Sequence, residues 1–214
     1  MPSPFVFNVP SARYRRRSTG RFVAQSEILA ARDEFADIKA LEVDRLTRRI
    51  NAGTITLNAW EQGMRDNLKD GHIAEYMLGK GGKNNMTQRD YGLLGRRLRD
   101  QYHYLRGFTN DLAEGRLTER QALARAQMYA NSAVAMFEKG RTEAMGMPPL
   151  PQYPADGQTI CLTNCRCHLD ITTRDEQWDV FWVLGEAEHC EDCVRLSETW
   201  APFVVPRVMR TVSA

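Results

Sequence analysis

The positions of the cysteines constrain this chain more than any other feature of its sequence. All five fall between Cys161 and Cys193, and the first 160 residues contain none. Cysteines scattered through a buried core would not cluster in this way, and an odd number does not favour a set of disulfides. The N-terminus lacks a basic leader and a long apolar stretch, so we expect no secretion signal and no oxidising compartment. The clustering therefore favours metal binding.

The residues between the cysteines predict a β-hairpin. Leu169 and Ile171 alternate with polar residues, and the segment 178–184 has the same two-residue period, which is typical of strands. The polar stretch 172–177 between them is suited to a turn. A hairpin of this kind brings two groups of cysteines together at its open end. The first group is Cys161, Cys165 and Cys167, and the second is Cys190 and Cys193.

Two short groups of cysteines are a common way to present ligands to zinc, which needs four of them in a tetrahedron about 2.0–2.3 Å from the metal. The C-x2-C pair at Cys190 and Cys193 is a standard half-site. The other half stays open, because three thiolates are available for two places and His168 or His189 could replace one of them. We predict one structural zinc ion among the five cysteines. Four protein ligands leave no open position, so catalysis by the metal is not expected.

A zinc-dependent nucleobase deaminase is one enzyme class whose motifs can be compared with this segment. Such enzymes combine H-x-E with P-C-x-x-C, and the Glu acts as the general acid and base. Here Asp170 stands in place of that Glu, and His189 stands where the Pro should precede Cys190. The sequence also has no Gly-rich phosphate loop, nucleophile elbow or metalloprotease helix motif. We therefore expect no enzymatic activity, and a deaminase or nuclease is the less favoured alternative.

The segment 26–146 predicts a body of four helices. The first helix begins near Ser26, and the other three follow threonines that can act as N-caps. These threonines are Thr56, Thr87 and Thr118. The fourth helix is expected to continue through Phe137. Gly92 and Gly95, on the third helix, would let a neighbouring helix approach closely.

Residues 147–158 mark the clearest boundary in the sequence, because four prolines and a glycine in this stretch are incompatible with a helix. They separate the helical body from a zinc-binding β-hairpin subdomain at 159–214. We therefore predict a mainly α fold, either a helical bundle or an array of helical hairpins, with this small C-terminal subdomain. No apolar run approaches the roughly 18 residues that a transmembrane helix needs, so no membrane partner is expected.

The remaining segment, 1–25, predicts an extended basic N-terminal arm, with a hairpin turn near Gly20. No acidic residue precedes Glu27. The net charge of +2 does not by itself argue for nucleic acid. The arm's arginines could contact phosphates, an acidic protein surface or only water. These candidate partner-binding residues are Arg13, Arg15, Arg16, Arg17 and Arg21.

The stretch Asn164-Cys165-Arg166-Cys167 resembles the phage minor head proteins, also called head-morphogenesis proteins. That family commonly ends in a zinc-binding segment built from a C-x2-C element and an H/C-x2-3-C-x-C element. The likeness extends in outline to the successive helices and to the Gly81-Gly82 break. In this chain the C-x2-C follows the N-C-R-C element, whereas in the family it often precedes it.

The resemblance implies a non-enzymatic virion protein present in few copies, near the portal or inside the head. It would be made in the cytoplasm of a bacterial host during assembly. The implied partners are portal or capsid proteins, with DNA as a candidate partner of the arginine arm and a homo-oligomer left open. The alternative from a different class is a zinc-containing nucleic-acid-binding protein that uses the same arm.

Overall fold

Six α-helices and five short strands form the part of the chain that the computed structural model describes, residues 3–186 and 188–207. The helices are α1 (Gln25–Asn51), α2 (Leu57–Gly79), α3 (Gln88–Ala113), α4 (Glu119–Asn131), α5 (Val134–Ala144) and α6 (Glu191–Thr199). The strands are β1 (Phe5–Asn8), β2 (Arg13–Arg16), β3 (His168–Thr173), β4 (Gln177–Val183) and β5 (Phe203–Pro206). The predicted fold class is confirmed: mainly α, with a small C-terminal sheet.

The threonine N-caps predicted from the sequence are confirmed. The side chain of Thr56 accepts a hydrogen bond from the backbone N–H of Ala59, three residues further along. Thr87 and Thr118 do the same at the starts of α3 and α4, and each forms a complete capping box with the residue at the third helical position. These caps satisfy N–H groups that a helix start leaves without partners, which is why the helices begin where they do.

The predicted fourth helix is wrong in its length, because the structure divides it into α4 and α5. The interruption lies at Ser132, whose hydroxyl donates to the carbonyl of Tyr129 at 2.7 Å. The backbone N–H of Ser132 is shared between the carbonyls of Met128 and Tyr129. Bonds to the residue three positions back tighten the chain for one turn, and a serine that bonds to the preceding turn promotes this. The segment 26–146 therefore contains five helices.

Helices α2 and α5 pack almost backbone to backbone, and glycines make this possible. A Cβ atom added to Gly140 would overlap the carbonyl oxygen of Tyr76, and one added to Gly79 would overlap the carbonyl oxygen of Phe137.

The prediction that Gly92 and Gly95 receive a neighbouring helix is wrong, since no other part of the described chain comes within 4 Å of a Cβ placed on either. The close approach is made on α2 and α5 instead.

The N-terminal segment is extended, as predicted, and its strands β1 and β2 pair in an antiparallel hairpin. Alternate side chains of this hairpin, Phe5, Phe7 and Tyr14, are buried together with Ile28 of α1. The chain then reverses, and the Arg16 N–H donates to the carbonyl of Arg21 at 2.8 Å. This confirms the turn expected near Gly20. Residues 1 and 2 of the predicted arm lie outside the described residues.

The proline-rich stretch 147–158 is packed rather than separate from its neighbours. Leu150 and Tyr153 are buried in the same apolar cluster as Trp178 of β4, and this cluster also includes Ala36 of α1 and Val134 of α5. The stretch therefore connects the helices to the C-terminal sheet through a shared core. Of the predicted segment 159–214, Ala187 and residues 208–214 lie outside the described part of the chain.

The predicted β-hairpin is confirmed: β3 and β4 pair antiparallel, with Leu169 opposite Trp182 and Ile171 opposite Val180. Strand β5 adds to the free edge of β4, which the sequence analysis did not predict.

Buried charges join this sheet to the helices. The backbone N–H of Leu169 donates to a Glu138 carboxylate oxygen at 3.1 Å, and the Arg141 guanidinium donates to the Leu169 carbonyl. Arg141 also lies 2.9 Å from the other Glu138 oxygen. Glu75 of α2 is buried nearby and only 1% exposed, so its burial raises the pKa of its carboxyl well above the usual value, while Arg32 opposes this. Strand β3 is thus anchored on α5 by polar bonds shielded from water.

Replacing Gly140 by Ala should lower the free energy of unfolding by about 1–3 kcal/mol, because the added methyl group forces α2 and α5 apart. Gly95→Ala is the matched control on an open helix surface, and it should raise the same quantity by about 1 kcal/mol. Urea unfolding followed by circular dichroism measures both changes. Equal stability of the two variants would contradict the close packing of these helices.

Candidate metal centre

The structure brings all five cysteines to the open end of the β3–β4 hairpin. Cys161 and Cys165 flank a single 3-10 turn, Leu162–Asn164. Cys190 is the N-cap of α6, and Cys193 lies in the first turn of that helix. Cys167 directly precedes β3. Two short loops therefore supply the thiols, as the spacing of the cysteines suggested.

Gly185 allows these loops to meet, and the sequence analysis did not single it out. A Cβ atom at this position would overlap the carbonyl oxygen of Arg166, which lies between Cys165 and Cys167. The chain leaving β4 can therefore lie directly against the first cysteine loop only because position 185 has no side chain. A glycine two residues after a strand is the one sequence feature that could have indicated this close approach.

Three sulfur atoms form the centre of the cluster. The Sγ atom of Cys193 lies 3.6 Å from that of Cys161 and 3.6 Å from that of Cys165, and the three lie within 4.8 Å of one another. These distances are too long for a disulfide, whose S–S bond is about 2.05 Å, and all five cysteines are free. A tetrahedron of sulfurs about 2.3 Å from a zinc ion has edges of about 3.8 Å. The cluster therefore has dimensions that fit a tetrahedral metal site.

The other two thiols border this trio on different sides. Cys190 lies beside Cys161 and Cys193. Cys167 lies beside Cys165 and Cys193. Cys167 is buried in the apolar core, whereas Cys190 is partly exposed. A fourth ligand is thus available from either side.

Burial and neighbouring thiols set the ionisation of the cluster. Burial raises the pKa of the Cys193 thiol. The neighbouring Cys167 thiol, together with burial, raises the pKa of Cys165, whereas the Cys165 thiol lowers the pKa of Cys167. A metal ligand must be a thiolate, and several buried thiolates repel one another unless a cation lies between them. A divalent ion at the centre would provide that charge.

Neither of the two histidines considered as alternative ligands has a ring nitrogen within 4.8 Å of all three central sulfur atoms. His168 is surrounded by the buried charges of Glu138, Arg32 and Arg141, and burial lowers the pKa of its imidazole. Its side chain therefore belongs to the junction between β3 and the helices. His189, next to Cys190, is partly exposed.

Further polar contacts fix the first cysteine loop, and the sequence analysis missed them. The side chain of Asp192, in the first turn of α6, accepts a hydrogen bond from the Ile160 N–H at 3.0 Å. On the other side of the loop, Thr163 donates to the Met128 carbonyl of α4 at 2.9 Å, and Asn131 of α4 donates to the side chain of Asn164 at 2.9 Å. The loop is therefore held between α6 and α4.

The arginines of the N-terminal arm are not part of this centre. Arg16 forms an ion pair with Glu27, and Arg17 donates to the backbone carbonyl of Ser3 at 3.1 Å. The guanidinium groups of Arg13 and Arg15 lie 4.4 and 4.3 Å from the centre of the Phe22 ring. Arg21 is exposed. Four of the five predicted partner-binding arginines thus contact their own chain.

Comparison with protein-family models, curated protein sequences and solved structures finds no match to this chain. None of the helices in the described residues is long and apolar enough to cross a membrane.

Removing the metal should lower the stability of the fold. An ion present at a thousand times its dissociation constant stabilises a folded state by about 4 kcal/mol, which shifts the thermal midpoint of a chain of this size by about 8–16 °C. Addition of a strong chelator should lower the midpoint accordingly.

Cys193→Ser should have the same effect as the chelator, because it removes the sulfur that contacts both Cys161 and Cys165. Its thermal midpoint should lie below that of the wild type without chelator, and addition of the chelator should not lower it further. A wild-type midpoint that the chelator leaves unaltered would show that no metal supports this fold.

Proposed function

We propose that this chain is a non-enzymatic structural protein of a phage virion, acting in the minor capsid or in head morphogenesis, and stabilised by one structural zinc ion. The observation that carries the proposal is the cluster of sulfurs at the distances of a tetrahedral site. Four cysteine ligands close the coordination sphere of the metal, which is typical of structural rather than catalytic zinc. The N-C-R-C stretch supports the assignment to phage head proteins.

The proposed ligands are Cys161, Cys165, Cys190 and Cys193. Cys190 is preferred to Cys167 because it is the N-cap of α6, where the positive end of the helix dipole stabilises a thiolate. It also completes a C-x2-C half-site. Cys167 then lies beside the metal without binding it, in contact with the core cluster that contains Trp182.

The position of the metal explains what it would do for the protein. The cysteine loop that it fixes is bonded to α4 through Thr163 and Asn164, and the strand that follows is bonded to α5 through Leu169. Zinc would therefore hold the C-terminal sheet in a fixed orientation on the helices. A structural protein of a particle needs such a fixed surface to bind its neighbours, for which portal or capsid proteins and further copies of the chain are the candidates.

The choice of ligands is tested by the metal content of two serine variants. Cys190→Ser should lose most of its zinc during purification without chelators, whereas Cys167→Ser should retain about one ion per chain. Atomic emission spectrometry on protein of known concentration measures this. Loss of zinc from Cys167→Ser with retention in Cys190→Ser would reverse the assignment of the fourth ligand.

The proposed structural role is tested by the protein content of purified virions and by the yield of DNA-filled heads. Quantitative mass spectrometry of purified virions of the encoding phage should find the chain in a low and constant copy number. A phage carrying Cys193→Ser should give fewer DNA-filled heads than one carrying Cys167→Ser, because only the first substitution removes a proposed ligand. Absence of the chain from both virions and procapsids would disprove the proposed role, whatever the metal content of the protein.

A further inference from the structure

The outward face of α3 carries a concentration of positive charge. Its members are arginines, with one histidine among them, and all are exposed. They are Arg89, Arg96, Arg99, His103 and Arg106. At about 100° of rotation per residue these side chains fall within an arc of about 100°. The opposite side of the helix is buried through leucines such as Leu94 and Leu105. The arginines therefore project to the same side of α3, a helix that is fixed by its buried leucines.

The four arginines of this face have no carboxylate partner, whereas several arginines on other helices do. Arg48 pairs with Asp44 on α1, and Arg65 pairs with Glu61 on α2. In the described residues, no carboxylate lies within ion-pair distance of these four arginines. Asp100 lies about 20° outside the arc and is exposed, whereas Asp90, next to Arg89, is buried in the N-terminal cap of α3.

Three glycines interrupt the same exposed surface, at Gly92, Gly95 and Gly107, and nothing in the described structure lies within 4 Å of a Cβ placed on any of them. A glycine inside a helix costs about 1 kcal/mol relative to alanine. No packing within the chain requires these three, in contrast to Gly140. Because glycine has no side chain, the helix backbone is exposed between the arginines, and a partner's backbone can approach it closely.

We propose that this face of α3 binds the phosphate backbone of duplex DNA. The Cα atoms of Arg89 and Arg106 lie about 26 Å apart along the helix axis. Over that length a duplex presents one negative charge for about every 1.7 Å of its axis, and its major groove is wide enough to admit an α-helix.

A duplex fits this face better than an acidic protein surface does. Guanidinium groups that repeat along the whole helix match a partner whose charge also repeats, and the bare glycines suit a regular backbone that must come close. The face also differs from the N-terminal arm, where Arg16 and Arg17 are already bonded within the chain. The inference is independent of the metal centre.

The test is fluorescence anisotropy with a labelled 30-base-pair duplex and the full chain, at 50 to 200 mM NaCl. Four phosphate contacts predict a slope of about −3.6 for the logarithm of the association constant against that of the salt concentration, which is an affinity loss of about 150-fold over this range. Arg96→Ala with Arg99→Ala should reduce the slope by about 1.8. Arg45→Ala with Arg49→Ala, exposed on α1, is the matched control and should bind as the wild type does.

Three results would overturn the proposal. The first is no binding at 50 mM NaCl, and the second is an equal loss of affinity in the α3 and α1 variants. The third is binding of polyglutamate but not of the duplex, with dependence on Arg96 and Arg99, which would assign the face to an acidic protein. Thermal midpoints of all variants within about 2 °C of wild type would show that the fold is intact, because these substitutions lie on exposed helix surface.

Discussion

The convergence of five thiols at the open end of the β3–β4 hairpin is the constraint on which the C-terminal part of this structure depends. Cys165 and Cys193 lie in an apolar core with Trp178 and Trp182, where a thiolate without a counter-charge is costly. A divalent cation bound by the four proposed sulfurs would supply that charge, so that the thiolates could serve as ligands. It would also hold the turn before β3 against the start of α6.

The cysteine cluster at the open end of the β3–β4 hairpin is coupled to the helices through contacts that are almost all buried. Leu169 bonds to Glu138 and Arg141 of α5, so the strand that begins beside the cysteines is fixed on that helix. Helix α5 in turn lies against α2 through Gly140. A change at the cysteine cluster would therefore act on a continuous set of rigid elements rather than on a loosely attached appendage. This continuity is what the proposed role in a virion requires of the protein.

The sequence predicted the features that depend on local chemistry and missed those that depend on tertiary packing. The cap at Thr87 and the alternation at Leu169 are local, and both predictions are confirmed. By contrast, which glycine receives a neighbouring helix depends on how the helices cross, so Gly95 was a wrong choice and Gly140 was missed. The convergence of two cysteine groups followed from the hairpin, but the fourth ligand did not, because Cys167 and Cys190 differ only in their surroundings. Counting arginines likewise could not show that Arg16 already has Glu27 as its partner.

The central claim is that a metal ion lies among the cysteine sulfurs, and X-ray absorption at the zinc edge tests it most directly. Protein purified without chelators should give a spectrum with four sulfur neighbours at about 2.3 Å and no nitrogen or oxygen neighbour. A first shell of nitrogen and oxygen at about 2.0–2.1 Å, or protein that contains no zinc, would contradict the account of this site.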